Sequence, residues 1–212
     1  MPHQPGQNRV APTGEVVAIA LRGAWMGNRG ILHDEVSASQ GRVVRHHAGN
    51  LWITCALSFR GWRAAQWEPH HYTPLFFHDE AVSLAAGHRP CALCRRGAYD
   101  AYRDAVARAE TSTPLRANEI DARLHAERLV PRTRTARRHR ASWTDLPDGT
   151  FVVADDGPAL VRGDRLVPWS TFGYAAPRAR PRGGDATVLT PPTTVGALRA
   201  GYRPQVDAGA GG

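Results

Sequence analysis

Lysine is absent from this chain of 212 residues, and all 27 of its basic side chains are arginines. Cysteine is scarce: three such residues, an odd number, argue against a framework of disulfides. The chain has no run of about 18 apolar residues that could form a membrane-spanning helix. Its first residues also lack the charged-then-apolar pattern of a signal peptide. We therefore expect a cytoplasmic protein with no membrane partner.

Negative charge is the other deficit of this sequence. Nineteen acidic residues leave a formal net charge of +8 at pH 7. A positive field of this size attracts polyanions, so it favours nucleic acid as a partner, and we expect this nucleic acid to be DNA. The alternative is a basic protein that has no acidic partner.

The hydrophobic pattern predicts an α+β fold, with N-terminal β-hairpins, a central zinc knuckle with helices, and a C-terminal β-meander and short helix. One hairpin is expected from residues 42–46 and 51–59, around the turn "HAGN". The expected helices and the meander follow: a helix from Asp79 to Gly87, a second from Cys91 to about residue 110, a third over 115–130, a meander over 149–170, and a last helix capped by Thr193 or Thr194.

Composition divides the chain into four parts. Residues 1–14 are predicted to be a disordered leader, and residues 15–110 to hold the hairpin and a zinc-binding region. Residues 111–206 are expected to contain a helix, an arginine-rich loop, the meander and the terminal helix. The glycine-rich residues 207–212 form a tail.

The stretch "HDEAVSLAAGHRPCALCRR", residues 78–96, contains the residue types of a nucleobase deaminase site. In that interpretation His78, Cys91 and Cys94 hold zinc, and Glu80 moves protons without touching the metal. Only nine residues separate Glu80 from Pro90. They are too few for a helix and a returning strand between the two motifs. A deaminase-like, zinc-dependent hydrolase is therefore the weaker alternative.

The same cysteines suit a structural zinc ion. Cys91 and Cys94 form a Cys-x-x-Cys pair at a predicted helix N-terminus, where the helix dipole stabilises thiolates. Cys55 can supply a third sulfur. Zinc then needs a fourth ligand, for which His71 is our choice among several nearby histidines. The alternative is that the pair only starts a helix and that Cys55 only fills the core.

Residues 79–96, "DEAVSLAAGHRPCALCRR", resemble the metal-binding domain of the Ada family of DNA-alkylation response proteins. The shared pattern is an acidic-Ala helix, then Gly-x-Arg-Pro-Cys-x-x-Cys, then a basic helix. Cys55 matches an upstream cysteine of that family, whereas Phe59 stands where the family has another cysteine. The resemblance covers about residues 50–100. It implies zinc binding, a role in DNA repair and, for Cys55, methyl transfer from a DNA phosphotriester.

Arginines near the cysteines are the candidate nucleic-acid contacts. Trp62 and Trp67 lie among them in sequence and could stack on bases. The proposed contacts are Arg60, Arg63, Arg89, Arg95 and Arg96. A solvated basic face, with both tryptophans in the core, is the alternative.

One further pair suggests acid–base chemistry. Asp121 and His125 lie four residues apart on a predicted helix, so the carboxylate could orient the imidazole. A surface contact between them is the alternative.

Taken together, the sequence favours a zinc-binding, DNA-binding protein with a role in repair or processing. The alternatives are the hydrolase, with weak catalytic candidates Glu80, Asp121 and His125, and a protein–protein adaptor. The sequence does not decide whether the protein is an enzyme, and it does not specify an oligomeric state.

Overall fold

The computed structural model describes residues 5–110, 113–133 and 135–211. Within these ranges the chain forms five α-helices and two multi-stranded sheets, which confirms the predicted α+β class. None of the helices described is long and apolar enough to cross a membrane.

The N-terminal sheet is mixed and has the order β2-β1-β5-β3-β4-β6. Two of its pairings, β1 with β5 and β4 with β6, are parallel. Its strands are β1 (Arg9–Val10), β2 (Val16–Val17), β3 (Trp25–Asn28), β4 (Ile53–Cys55), β5 (Leu75–Phe77) and β6 (Arg89–Pro90). Pro90 is tolerated because β6 is an edge strand, where the missing N–H breaks no ladder.

The C-terminal sheet is antiparallel and has the order β11-β10-β9-β8-β13-β7, with β12 added to β10. Its strands are β7 (His139–Ser142), β8 (Phe151–Ala154), β9 (Gly157–Arg162), β10 (Arg165–Ser170), β11 (Gly173–Tyr174), β12 (Arg178–Ala179) and β13 (Asp185–Val188). Strands β8, β9 and β10 pair in chain order, as the predicted meander requires.

The helices are α1 (Glu35–Ser39), α2 (Glu80–Ala85), α3 (Arg96–Glu110), α4 (Ala117–Arg128) and α5 (Pro192–Arg199). Asp79 caps α2 by accepting a hydrogen bond from the backbone N–H of Val82, at 2.8 Å. Gly87 follows with a φ of +84°, a left-handed conformation that ends the helix. Glycine adopts it without steric strain because it has no Cβ. This helix matches its prediction.

Both halves of the chain contribute to one core. Phe77 and Val82 from the N-terminal half pack in the same buried cluster as Phe151 and Val167 from the C-terminal sheet. A second cluster joins α3, α4 and α5. Because the apolar surfaces are shared, residues 15–110 and 111–206 stabilise each other.

Two N-terminal predictions differ from the structure. Residues 1–4 of the predicted disordered leader lie outside the described residues, but Arg9–Val10 is a strand, paired with β2 and β5. Val10 is buried because it packs into the shared core. The hairpin of residues 42–46 and 51–59 does not form. Residues 42–46 are irregular, and β4 pairs instead with β3 and β6, which bury it on both edges.

The starts of two helices and the C-terminal tail also differ from their predictions. The second helix begins at Arg96, because Ala92–Arg95 form a turn. Pro191, not a threonine, precedes α5. The predicted tail is anchored: Ala210 is buried in the shared core, although Gly212 lies outside the described residues.

Gly27 is a test of the N-terminal sheet, because a Cβ at this position would overlap the carbonyl oxygen of Ile53 on β4. We expect Gly27→Ala to lower the free energy of unfolding by about 3 kcal/mol or more. Gly97→Ala is the control: a Cβ there meets nothing within 4 Å, and alanine should stabilise α3 by up to about 1 kcal/mol. Urea unfolding followed by circular dichroism measures both changes, and equal midpoints would contradict this account.

Candidate metal centre

The parallel pairing of β4 with β6 brings the first two cysteines together. Its register places Ile53 opposite Arg89 and Thr54 opposite Pro90, so the next residue on each strand is a cysteine. The backbone N–H of Cys91 donates to the carbonyl oxygen of Thr54 at 2.9 Å. The turn that follows β6 returns the chain and places Cys94 beside both.

The three sulfur atoms lie within 4.8 Å of one another. Zinc–sulfur bonds of about 2.3 Å in tetrahedral geometry require sulfurs roughly 3.8 Å apart, so small side-chain adjustments would let all three contact one ion. The residues therefore fit a metal that prefers thiolates. Among the described residues, this is the one group of three or more metal-ligating side chains that meets this spacing.

Backbone amides support the sulfurs. The N–H of Ala56 donates to Cys94 Sγ and the N–H of Leu93 donates to Cys91 Sγ, both at 3.4 Å. Such donors stabilise negative charge on a metal-bound thiolate and orient it.

The three thiols titrate as an interacting group. A hydrogen bond with Cys55 and backbone donors lower the pKa of Cys91 to about 5, although burial opposes this. The same sulfur–sulfur hydrogen bond and burial raise the pKa of Cys55. Burial also raises the pKa of Cys94. Near neutral pH the metal-free cluster therefore holds one thiolate readily, and metal binding would release the remaining protons.

Tyr72 lies within the electrostatic reach of the cluster. Burial, followed by the negative charge of the three cysteines, raises the pKa of this phenol to about 12. Its ring contacts Trp62, with centroids 6.4 Å apart. Ala64, in the loop after β4, packs against the cluster that contains Cys55 and Cys91, so this loop lies beside the sulfurs.

The fourth ligand is not supplied by the predicted histidine. His71 is exposed, and its Nδ1 lies 3.1 Å from the carbonyl oxygen of Pro69 and 3.7 Å from the Glu68 carboxylate. It does not belong to the group formed by the three sulfurs. Phe59, at the position where the Ada family has a cysteine, is bridged through its backbone to Trp62. The site thus offers three protein ligands from the described residues.

Glu80 does not have the environment of a proton shuttle. One of its carboxylate oxygens accepts hydrogen bonds from Arg95 Nη2 at 2.8 Å and from the Tyr202 hydroxyl at 2.5 Å. The other accepts from the backbone N–H of Gln205 at 2.9 Å. Glu80 is buried, and all its contacts serve to hold the C-terminal segment and the cysteine turn in place.

The neighbours of Glu80 have structural contacts too. Asp79, besides capping α2, accepts from the Tyr174 hydroxyl at 2.8 Å and from the backbone N–H of Asp207 at 3.0 Å. His78 contacts Trp169 Nε1 at 3.3 Å and is not part of the sulfur group. The deaminase arrangement is therefore not formed by these residues.

The five predicted nucleic-acid contacts fall into two sets. Arg60, Arg63 and Arg96 are exposed. Arg89 and Arg95 are buried, which corrects their prediction as surface contacts. Arg89 donates to both carboxylate oxygens of Asp121, at 2.8 and 2.7 Å, and Arg95 pairs with Glu80.

The Asp121–His125 interpretation is also corrected. Asp121 is engaged by Arg89, and His125 Nδ1 instead accepts from Arg128 Nη2 at 3.1 Å. Cys55, the cysteine proposed for methyl transfer, is buried, whereas Cys94 is the most exposed of the three. Sequence reasoning missed the buried arginines Arg29 and Arg128, because a single arginine carries no sequence signal of burial.

No protein-family model, curated protein or solved structure matches the chain. The Ada-type resemblance therefore stays a prediction that depends on the quoted residues alone.

The Glu80–Arg95 pair gives a test of the structural role of this segment. Glu80→Ala leaves the Arg95 guanidinium buried without its partner, so we expect the free energy of unfolding to fall by about 3–5 kcal/mol. Asp156→Ala is the matched control, because it removes an exposed pair with Arg178 and should cost about 1 kcal/mol or less. Thermal and urea unfolding measure both, and a Glu80→Ala protein of unchanged stability would contradict the structural role.

Proposed function

We propose that this protein holds one zinc ion with Cys55, Cys91 and Cys94 and binds nucleic acid, with DNA the expected form, on the surface beside that ion. The observation that carries the proposal is the convergence of the three sulfurs, which are all the cysteines of the chain. Zinc is favoured over other metals because a site of thiolates without an acidic ligand suits zinc.

The proposed nucleic-acid surface belongs to the same two segments that supply the sulfurs. The loop after β4 carries Arg60, Trp62 and Arg63, and the turn and first helical residue after β6 carry Leu93 and Arg96. Trp62 is 55% exposed and Leu93 69% exposed. These segments therefore carry guanidinium groups that can contact phosphates, the Trp62 ring that can stack on a base, and Leu93 that can make an apolar contact.

In this proposal the metal ion has a structural role. A bound ion would fix the loop after β4 relative to the turn after β6, and hence the spacing of the exposed arginines. The competing proposal is a protein–protein adaptor, which the exposed Trp62 and Leu93 would also suit. The two differ in their response to salt.

Metal content is the first test. Protein purified under reducing conditions should contain one zinc ion per chain, and its three thiols should react with a thiol reagent only after chelation. Cys91→Ser should lose most of the zinc, because two sulfurs bind it weakly. His71→Ala is the control, and it should keep the metal because His71 lies outside the sulfur group. Metal-free protein with freely reacting thiols would refute the zinc proposal.

The salt dependence of DNA binding is the second test. The logarithm of the DNA-binding constant falls linearly as the logarithm of the salt concentration rises. If Arg60, Arg63 and Arg96 each contact a phosphate, the triple change to Gln should make this slope less steep by about 2 to 3. Fluorescence anisotropy with labelled single- and double-stranded oligonucleotides measures the slope.

The control for this test removes the same charge elsewhere. Arg162, Arg165 and Arg182 are exposed on or beside the C-terminal sheet, and their triple change to Gln should leave the slope nearly unchanged. Equal slopes for both triple variants would contradict the proposed surface. Affinity for DNA that does not depend on salt, or no binding to either oligonucleotide, would favour the adaptor.

A further inference from the structure

Trp52 is the centre of a second cluster, which contains no cysteine. This side chain is buried, and two guanidinium groups lie against its ring: the Cζ atoms of Arg29 and Arg128 are 3.9 and 4.0 Å from the ring centroid. Both arginines are buried as well. Four histidine rings surround the group: His46, His47 and His88 contact Trp52, and His125 contacts His47.

Neutral groups, not carboxylates, accept the hydrogen bonds of these two arginines. Arg29 donates to His88 Nε2 at 3.3 Å, to the carbonyl oxygen of Gly14 at 2.8 Å, and contacts His46 Nε2 at 3.2 Å. A guanidinium can only donate, so each imidazole nitrogen facing it must be an unprotonated acceptor. The histidines at these contacts are therefore neutral.

Arg128 is held in the same way. It donates to the carbonyl oxygens of Gly87 and Asn50, at 2.9 and 2.7 Å, and to His125 Nδ1. Asp121 is near enough for its charge to affect Arg128, but its two oxygens are taken by Arg89. Within the described ranges, neither Arg29 nor Arg128 forms an ion pair, so the cluster has uncompensated positive charge.

Some of the donors in this cluster are unused. Arg29 Nη2 and Arg128 Nε are buried and have no hydrogen-bond partner among the described atoms. A buried charged donor without an acceptor is costly, so a negative charge near this cluster would stabilise it. Burial also lowers the pKa of Arg128 to about 9, and an anion nearby would reverse that effect.

A cavity of about 550 Å³ opens beside this cluster. Its wall includes Arg45, His46 and Arg138, together with one carboxylate, Glu15. An inner crevice lined by Trp52 and Arg128 shares His46, Thr13 and Ala136 with the cavity. This crevice is only about 10 Å³ and Arg29 does not line it, so an anion would lie in the outer cavity. Arg45 and Arg138 are exposed and form no ion pair with any described residue, so they reinforce the positive charge at the mouth.

We propose that this cavity is an anion site that takes a phosphate-type oxyanion, with Arg45 and Arg138 at its mouth and the Arg29–Trp52–Arg128 cluster behind it. A tetrahedral oxyanion offers several acceptor oxygens to guanidinium donors, which bind it through charge-assisted hydrogen bonds. The charge of the anion would also offset part of the buried positive charge, because His46 lines the cavity and contacts Arg29. A free phosphate and the phosphate of a nucleotide share the chemistry that would be recognised. The cavity is larger than a phosphate ion, so it could also accept a nucleotide.

This site uses none of the residues assigned to the metal or to the nucleic-acid surface beside it. Its failure and that of the proposed function are therefore separable. Removal of zinc or of Arg60, Arg63 and Arg96 tests one, and removal of Arg45 and Arg138 tests the other.

The test uses full-length protein in a chloride buffer of constant ionic strength. Inorganic phosphate, adenosine 5′-monophosphate and adenosine are titrated in turn, by calorimetry and by the shift of the thermal unfolding midpoint. We expect saturable binding of phosphate and no effect of adenosine. Tighter binding of the monophosphate than of phosphate would identify a nucleotide as the ligand, and equal or weaker binding would identify free phosphate; either result supports the site.

Two double variants make the test specific. Arg45→Gln with Arg138→Gln removes exposed side chains that have no described hydrogen bond, so the fold should persist, and phosphate should bind about tenfold more weakly or worse. Arg162→Gln with Arg182→Gln removes the same charge elsewhere and should leave the affinity unchanged. An equal loss of phosphate affinity in both variants would mean that only long-range attraction by positive charge is measured, and would overturn the proposal. The absence of saturable binding of both phosphate and the monophosphate would overturn it too.

Discussion

The parallel pairing between β4 and β6 is the interaction on which the candidate metal centre depends. Two short strands, separated by 33 residues of intervening chain from Ala56 to His88, run in the same direction and end together. Because their register is fixed by Ile53 and Thr54, Cys55 and Cys91 emerge at one edge of the sheet. A slip of one residue would turn one sulfur to the opposite face of the sheet. Strand register, not the Cys-x-x-Cys spacing alone, therefore makes a group of three.

The segment that precedes the Cys91–Cys94 pair helps to hold the cysteine turn in place. Residues 78–80 have the residue types of a catalytic motif, but their side chains face the C-terminal segment and the turn before α3. Glu80 contacts Arg95, one residue after Cys94, and Tyr202 near the other end of the chain. A buried carboxylate thus links the last residues of the fold to the cysteine turn. We infer that loss of the C-terminal segment would also disturb the turn that positions the cysteines.

Local signals in the sequence were enough to predict the local structure. The Asp79 cap, the Gly87 stop and the period-two pattern of the meander each act within a few residues, and the structure contains all three. The three cysteines could be predicted as a group because they are the only cysteines of the chain and thiolates are strong metal ligands. The hairpin of residues 42–46 and 51–59 does not form, because β4 pairs with β3 and β6, while the backbone N–H groups of Val44 and Arg45 donate to the carbonyl oxygen of Leu32 and form no ladder. Periodicity cannot distinguish these two outcomes.

The arginines show most clearly where sequence reasoning ends. Arg89, Arg95 and Arg96 lie within eight residues, yet two are buried in ion pairs and one is exposed, and the difference comes from Asp121 and Glu80, which lie elsewhere in the chain. Arg29 and Arg128 are buried without a carboxylate partner among the described residues, because imidazole nitrogens and backbone carbonyl oxygens accept their hydrogen bonds. A net charge of +8 therefore does not describe a uniform basic surface. Part of the charge lies inside the fold, where neutral acceptors and the Trp52 ring hold it. The rest lies at the surface, where salt can screen it.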